Sequence, residues 1–242
     1  MYYFCFDRFV GWDMVIYSTL GSSKAGELWR NGENFFLCLW DFIAFPELYL
    51  HKEPLVLWEL VEKSFLAAKS IDLIHWMVYE WYSSYKSVIP LFLGNDLLSL
   101  LKYKKKWLEN QTPPLSYEKA ELRIRESKEN LGQAQQLFVF PDLWTMVQIL
   151  EKSWFDEKNY CVLHSATSYA YKQKTFWWIK SGKVSTLFST HSQIFQDWKN
   201  LKRIEMIDPA KRYYKSQQDP RYSTADVVTK MADLYGVKLF FW

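Results

Sequence analysis

Four groupings in this sequence place side chains of reactive type at workable spacing. Gly21-Ser22-Ser23-Lys24-Ala25-Gly26 has the glycine spacing of a phosphate-cradling loop. That loop needs Lys followed by Ser or Thr, and here Glu27-Leu28 stands in their place. A carboxylate at that position repels phosphates, so the stretch reads as a Gly/Ser turn. Cys161 and His164 suggest a nucleophile or metal pair. On an expected strand, residues three apart point to opposite faces, and no second pair completes a zinc set. His191, within Ser189-Thr190-His191-Ser192 and ahead of Asp197, suggests a Ser–His–Asp relay, but there is no Gly-x-Ser-x-Gly elbow. Its hydroxyl neighbours read as helix caps. Asp142, with Asp156 and Lys158, has the carboxylate-and-lysine content of a Mg²⁺-dependent hydrolase. Pro141 marks a helix start, however, and the second group falls in a loop. No catalytic residue, metal site or cofactor is assigned on these spacings.

The sequence is richer in groups that bind. It holds 13 Trp, 16 Tyr and 17 Phe against 3 Cys, 4 His and 8 Gly. The segment from Lys172 to Lys183 reads as a hairpin, with Ser181-Gly182 at its turn. Strand alternation would set Phe176, Trp178 and Lys180 on one face and Thr175, Trp177 and Ile179 on the other. Rings bordered by lysines stack unpaired bases while neutralising phosphates. The competing reading buries both faces and leaves the lysines at the strand ends. A second basic cluster, Lys199, Lys202, Arg203, Lys211, Arg212 and Lys215, surrounds Tyr213 and Tyr214. The expected nucleic-acid contacts are Lys172, Lys174, Phe176, Trp178, Lys180, Lys183, Lys202, Arg203, Lys211 and Arg212.

Elements must position these groups. Tyr2–Phe6 and Phe9–Tyr17 are aromatic and β-branched, as strands are. Asn31-Gly32 signals a tight hairpin into Phe35–Trp40, a run apolar on both faces and therefore a central strand. A helical stripe runs from Pro54 to about Lys86, with a break near Ser70, and a further helix from about Asn95 to Glu109. Glu109-Asn110-Gln111-Thr112-Pro113-Pro114 reads as a connection. A charged helix over Ser116–Gln136 and a helix from Pro141 to Ser153 follow. Short strands are expected at Tyr160–Leu163, Ser168–Tyr171, Thr175–Lys180 and Val184–Phe188, then a helix Gln193–Leu201 and a strand Arg203–Ile207. Ser223 caps a last helix, Gly236 ends it, and Val237–Trp242 forms a closing strand.

The resulting fold class is α+β, with antiparallel sheets packed with helices in two lobes. Residues 1–112 form an acidic, aromatic-rich sheet-plus-helix lobe, and 113–242 a basic α+β lobe with an antiparallel sheet. Charge supports the division. Residues 1–100 carry 7 Lys/Arg against 12 Asp/Glu, net −5, and residues 101–242 carry 23 against 15, net +8. Such asymmetry suits an acidic partner such as nucleic acid.

Three cysteines make no disulfide framework, which points to a reducing, cytoplasmic setting. The first apolar stretch is interrupted by Asp7, Arg8 and Asp13, so no secretory core is expected. The run Asn34–Phe45 is broken by Asp41 and falls short of the roughly 20 residues a membrane-spanning helix needs. The expected function is a non-catalytic accessory protein that contacts RNA, single-stranded DNA or a nucleoprotein assembly. The alternatives are a protein-interaction subunit that uses exposed aromatics to engage other subunits, and a metal-dependent nuclease-like hydrolase.

Overall fold

In a computed structural model of the chain, the residues described are 2–7, 11–16, 23–32, 34–40, 59–102, 104, 134–152 and 160–242. They belong to two compact units, Met1–Ser99 and Leu100–Trp242. The expected connection at Glu109–Pro114 and the charged stretch from Ser116 to residue 133 lie outside the described residues.

The first unit is built on an antiparallel sheet of β1 (Tyr2–Asp7), β2 (Gly11–Ile16), β3 (Leu28–Asn31), β4 (Asn34–Cys38) and β5 (Glu59–Glu62), in the order β2-β1-β4-β3-β5. Asn31 faces Asn34 across the β3–β4 turn. Gly32 there takes φ +59, a conformation this tight turn favours and side chains resist. As its two-sided apolar pattern requires, β4 lies between β1 and β3 with Phe35–Cys38 buried. The helical stripe expected from Pro54 fails over Glu59–Glu62, which pairs with β3 instead. Helices follow only afterwards: α1 (Ala68–Glu80), α2 (Tyr85–Leu93) and α3 (Leu97–Lys102).

Of the glycine-bounded loop ahead of β3, the described part, Ser23–Glu27, turns back on itself, with Glu27 N–H bonded to Lys24 O at 3.1 Å. Gly26 N–H donates to Cys38 O at 2.8 Å, and Glu27 Oε2 accepts from Lys24 N–H at 3.0 Å and Trp29 Nε1 at 2.9 Å. A Cβ on Gly26 would lie 2.1 Å from Leu66 O. The N–H groups of Lys24, Gly26 and Glu27 are thus engaged within the protein.

The second unit runs β6 (Gln135–Phe140), α4 (Leu143–Lys152), β7 (Tyr160–Leu163), α5 (Tyr169–Ser181), β8 (Thr186–Thr190), β9 (Leu201–Met206), α6 (Thr224–Tyr235) and β10 (Lys238–Phe241), with an α-helix between successive strands except β8 and β9. Its sheet runs β10-β9-β6-β8-β7, and every neighbouring pair is parallel. This corrects the antiparallel sheet expected for this half. Each crossover carries the chain back to the starting end of the sheet, so the next strand must run the same way. Central strands of such sheets are covered on both faces, and all five residues of β8 are buried.

The error lies in α5, read from sequence as two strands and a hairpin. Phe176-Trp177-Trp178-Ile179 is apolar without interruption, so periodicity cannot separate a buried helix from a buried strand. Gly182, expected at a hairpin turn, is the helix C-cap. At φ +80, its N–H bonds Ile179 O, and Lys183 N–H bonds Trp178 O at 2.9 Å. Ser168 caps the other end, its side chain accepting from Tyr171 N–H.

The helix expected over Gln193–Leu201 is also replaced. A 3₁₀ turn at His191–Gln193 leads into a non-helical run whose Ile194, Phe195 and Trp198 are buried. The closing unit matches expectation: Ser223 caps α6, Gly236 adopts the left-handed conformation at its end, and β10 follows. Among the described residues, no helix is long and apolar enough to cross a membrane.

At the amino end of the sheet, Gln135 is fully buried and fully bonded. Its Nε2 donates to Ile179 O and Val184 O, both at 2.9 Å, and its Oε1 accepts from Asn200 N–H at 2.8 Å. One side chain thus ties the end of α5 and the approaches to β8 and β9 to the start of β6.

Candidate nucleic-acid interface

The expected contact residues do not form one surface. Phe176 and Trp178 are 3% and 0% exposed, and neighbouring Trp177 is 2% exposed, so none of these rings offers a face to a base. This corrects the outward-facing hairpin. Trp177 Nε1 donates to Leu100 O at 2.8 Å, and Lys104 Nζ lies 5.2 Å from the ring centroid. Lys174 Nζ stands 4.4 Å from the Trp178 ring. Lys180 is bonded to the buried carboxylate of Asp197. It therefore neutralises an internal charge, not a phosphate.

The remaining cations divide between the two ends of the sheet. Lys183 precedes β8, Lys202 and Arg203 open β9, and Arg203 bonds Glu205 at 2.6 Å while covering the Phe240 ring at 4.6 Å. These mark the amino end. At the carboxyl end, Lys172 in the first turns of α5 reaches Ser165 O at 3.5 Å, and Lys211 and Arg212 follow β9. A six-residue strand such as β9 separates the ends by about 17 Å.

The carboxyl end is where ligands enter open α/β sheets, at the crevice between neighbouring strands whose connections leave in opposite directions. Here those strands are β6 and β9. From β6 the chain travels through α4 towards the β7 edge; from β9 it travels through α6 towards the β10 edge. The crevice is filled by Tyr214. Its buried hydroxyl lies within hydrogen-bond reach of both Val139 O, at 3.0 Å, and Ile207 O, its one hydrogen shared between them, and so bridges the ends of both strands. Burial, with Asp208 and Asp142 adding repulsion, holds this phenol above its ordinary range and therefore protonated.

Beside this plug lies an open cleft of about 620 Å³, formed by the residues after β8 and the long connection after β9. Arg212 and Lys215 line it with positive charge, and Gln217 and Gln218 with amides. Rings of His191, Tyr213 and Tyr222 and the Ser192 and Ser216 side chains complete the wall. None of the lining residues is acidic, and Asp219 of the same connection is not among them. Tyr213 is 51% exposed, with the Arg212 guanidinium 5.7 Å from its ring centroid. His191 Nδ1 lies 3.1 Å from Pro141 O. A carbonyl only accepts, so Nδ1 carries the hydrogen and Nε2 is the nitrogen left for a ligand.

The wall is held by its own bonds. Lys215 and Ser223 form an isolated antiparallel bridge, Ser216 N–H donates to Tyr222 O at 2.9 Å, and Ser216 Oγ donates to Gln218 O at 2.9 Å. Tyr222 anchors the far side against Phe195, rings edge to face at 5.2 Å.

Of these residues, Arg212 is among the contacts expected from sequence, and Lys215 and Tyr213 fall in the same expected cluster, whereas Lys211 lies outside the cleft wall. Sequence reasoning missed Gln217, Gln218, Tyr222 and the role of His191. The legible signal was a long polar run interleaved with aromatics after a strand; the residues joined to it from β8 gave none.

The remaining reactive groupings are put to structural use. Burial pushes the Cys161 thiol up to about 11, outweighing the opposing pull of neighbouring polar groups, so it is not a ready nucleophile. Asp142 caps α4: Oδ1 accepts from Thr145 N–H at 2.7 Å and Oδ2 from Thr145 Oγ1 at 3.0 Å. Asp156 and Lys158 lie outside the described residues. Asp197 serves Lys180 and not His191. Among the described residues, no three His, Cys, Asp or Glu side chains gather to hold a metal ion. Comparison with known proteins finds no matching family model and no similar curated protein.

Proposed function

We propose that this chain is a non-catalytic accessory protein that holds single-stranded RNA or DNA at the carboxyl end of its parallel sheet. One observation carries the reading: a cleft lined by Arg212, Lys215 and the half-exposed ring of Tyr213, with no carboxylate in its wall. Cations supply the sequence-independent part of nucleic-acid affinity, and an accessible ring supplies stacking that tolerates any base. The unit that carries the cleft has the chain's positive excess, 23 Lys/Arg against 15 Asp/Glu. The contacts are therefore Arg212, Lys215 and Tyr213, and not Lys211, which pairs with Asp208 at 3.4 Å outside the cleft wall, or the buried α5 rings.

The test is fluorescence anisotropy of a labelled 12-nucleotide single strand. Arg212→Ala with Lys215→Ala is expected to abolish most binding. Lys202→Ala with Lys238→Ala removes the same charge at the amino end and is expected to leave binding near wild type. The reverse pattern would place the interface elsewhere.

A second reading, a protein-interaction subunit, draws on the first unit. There Tyr79 and Tyr82 are 70% and 98% exposed. Aromatic side chains of this kind anchor protein interfaces. Capture of a partner lost on Tyr79→Ala with Tyr82→Ala, yet insensitive to salt, would support it.

A further inference from the structure

We infer that the cleft holds a single nucleotide unit of the strand, unstacked from its neighbours, with its base on Tyr213 and its phosphate between Arg212 and Lys215. The inference rests on the reading above and adds what the cleft recognises. Size is the first argument. A cleft of about 620 Å³ falls within the range of about 300–1,000 Å³ typical of small-ligand sites, which admits one nucleotide and not a duplex.

Composition is the second. A nucleotide has three recognisable parts, and the wall offers a group for each. Tyr213, 51% exposed on a 3₁₀ turn, presents a ring for a base. The exposed amides of Gln217 and Gln218 each supply one acceptor and two donors. Base edges carry donors and acceptors, so amides favour a base over a bare phosphate without fixing its identity. Arg212 and Lys215 supply charge for the phosphate, and a guanidinium does so with paired donors.

Pre-organisation is the third. The Lys215–Ser223 bridge and the Ser216–Tyr222 bond close the connection into a ring before any ligand arrives. Tyr214 pins the turn that bears Arg212 and Tyr213 to the ends of β6 and β9. A wall fixed in advance loses less entropy on binding.

Competition tests this, with a labelled 12-nucleotide strand displaced by AMP, UMP, ribose 5-phosphate, inorganic phosphate or a blunt duplex. AMP and UMP are expected to displace the strand at about tenfold lower concentration than ribose 5-phosphate, the share a stacked base contributes. Tyr213→Ala should erase that preference and Tyr213→Phe should keep it; Arg212→Ala should weaken every competitor. Equal displacement by ribose 5-phosphate and AMP, or a preference that survives Tyr213→Ala, overturns the single-nucleotide site while leaving strand binding intact. A duplex that competes as well as the strand overturns it too. If AMP binds with the expected preference but the strand binds no tighter, the ligand is a free nucleotide and the strand-binding reading falls instead. If neither binds, both fall.

Discussion

The hydroxyl of Tyr214 lies 3.0 Å from the carbonyl oxygen of Val139, across the crevice that open α/β sheets commonly leave for a ligand. A side chain from the connection after β9 thus occupies the switch point and pushes the usable cavity outward, against His191 and the 212–222 wall. Tyr214→Phe keeps the ring and removes both carbonyl contacts. We expect a loss of about 1–2 kcal/mol in urea unfolding. Strand affinity should weaken as well, because the turn carrying Arg212 and Tyr213 loses its tether. Unchanged stability and affinity would show that the plug does not position the cleft.

Alkaline pH should act through the same residue and through Tyr222. Burial raises the folded-state pKa of both phenols above their ordinary value of about 10. The unfolded chain therefore ionises first as pH rises, and binds fewer protons than the folded chain above that point. Stability from these two groups is complete below about pH 10 and declines above it. Urea midpoints measured from pH 7 to 11 should stay level and then drop, with the Tyr214 and Tyr222 phenols, followed by residue-specific NMR signals, ionising only as the chain unfolds. Phenolate appearing in the native state near pH 10 for both residues would contradict the burial.

Lys180 and Asp197 test the correction to α5. Asp197 has a side chain 2% exposed, and Lys180 one 17% exposed. Removing one partner strands a buried charge. Lys180→Met is expected to cost about 3–5 kcal/mol, and adding Asp197→Leu should recover most of it. Strand binding by the double variant should match wild type, because neither residue lines the cleft. A large affinity loss without a stability loss would restore Lys180 to the interface.

Legibility followed the range of the physics involved. Asn31-Gly32 and the Ser223…Gly236 caps act through their own backbone, so the β3–β4 hairpin and the α6–β10 unit are readable from local sequence. Ser181-Gly182 shows the limit of the same logic. A glycine with positive φ suits a hairpin turn and a helix C-cap alike, and only the tertiary cover over Phe176–Ile179 decides between them. Misreading that one helix removed a crossover and so turned a parallel sheet into an antiparallel one. The cleft divides in the same way. Arg212, Tyr213 and Lys215 are close in sequence and fall in one basic, aromatic cluster. His191 joins them from the residues after β8, its ring 6.4 Å from that of Tyr214 and its Nδ1 bonded to Pro141 fifty positions away, contacts that no local pattern encodes.

The most direct measurement is the salt dependence of single-strand binding by the wild-type chain and by Arg212→Ala with Lys215→Ala. Each phosphate neutralised contributes about 0.7 to the slope of log affinity against log salt for a single strand. The double variant, without the one phosphate held between these two cations, should bind more weakly with a slope smaller by about 0.7. Wild-type affinity and slope retained in the variant, or no binding by the wild type at low salt, would contradict a strand held at this cleft.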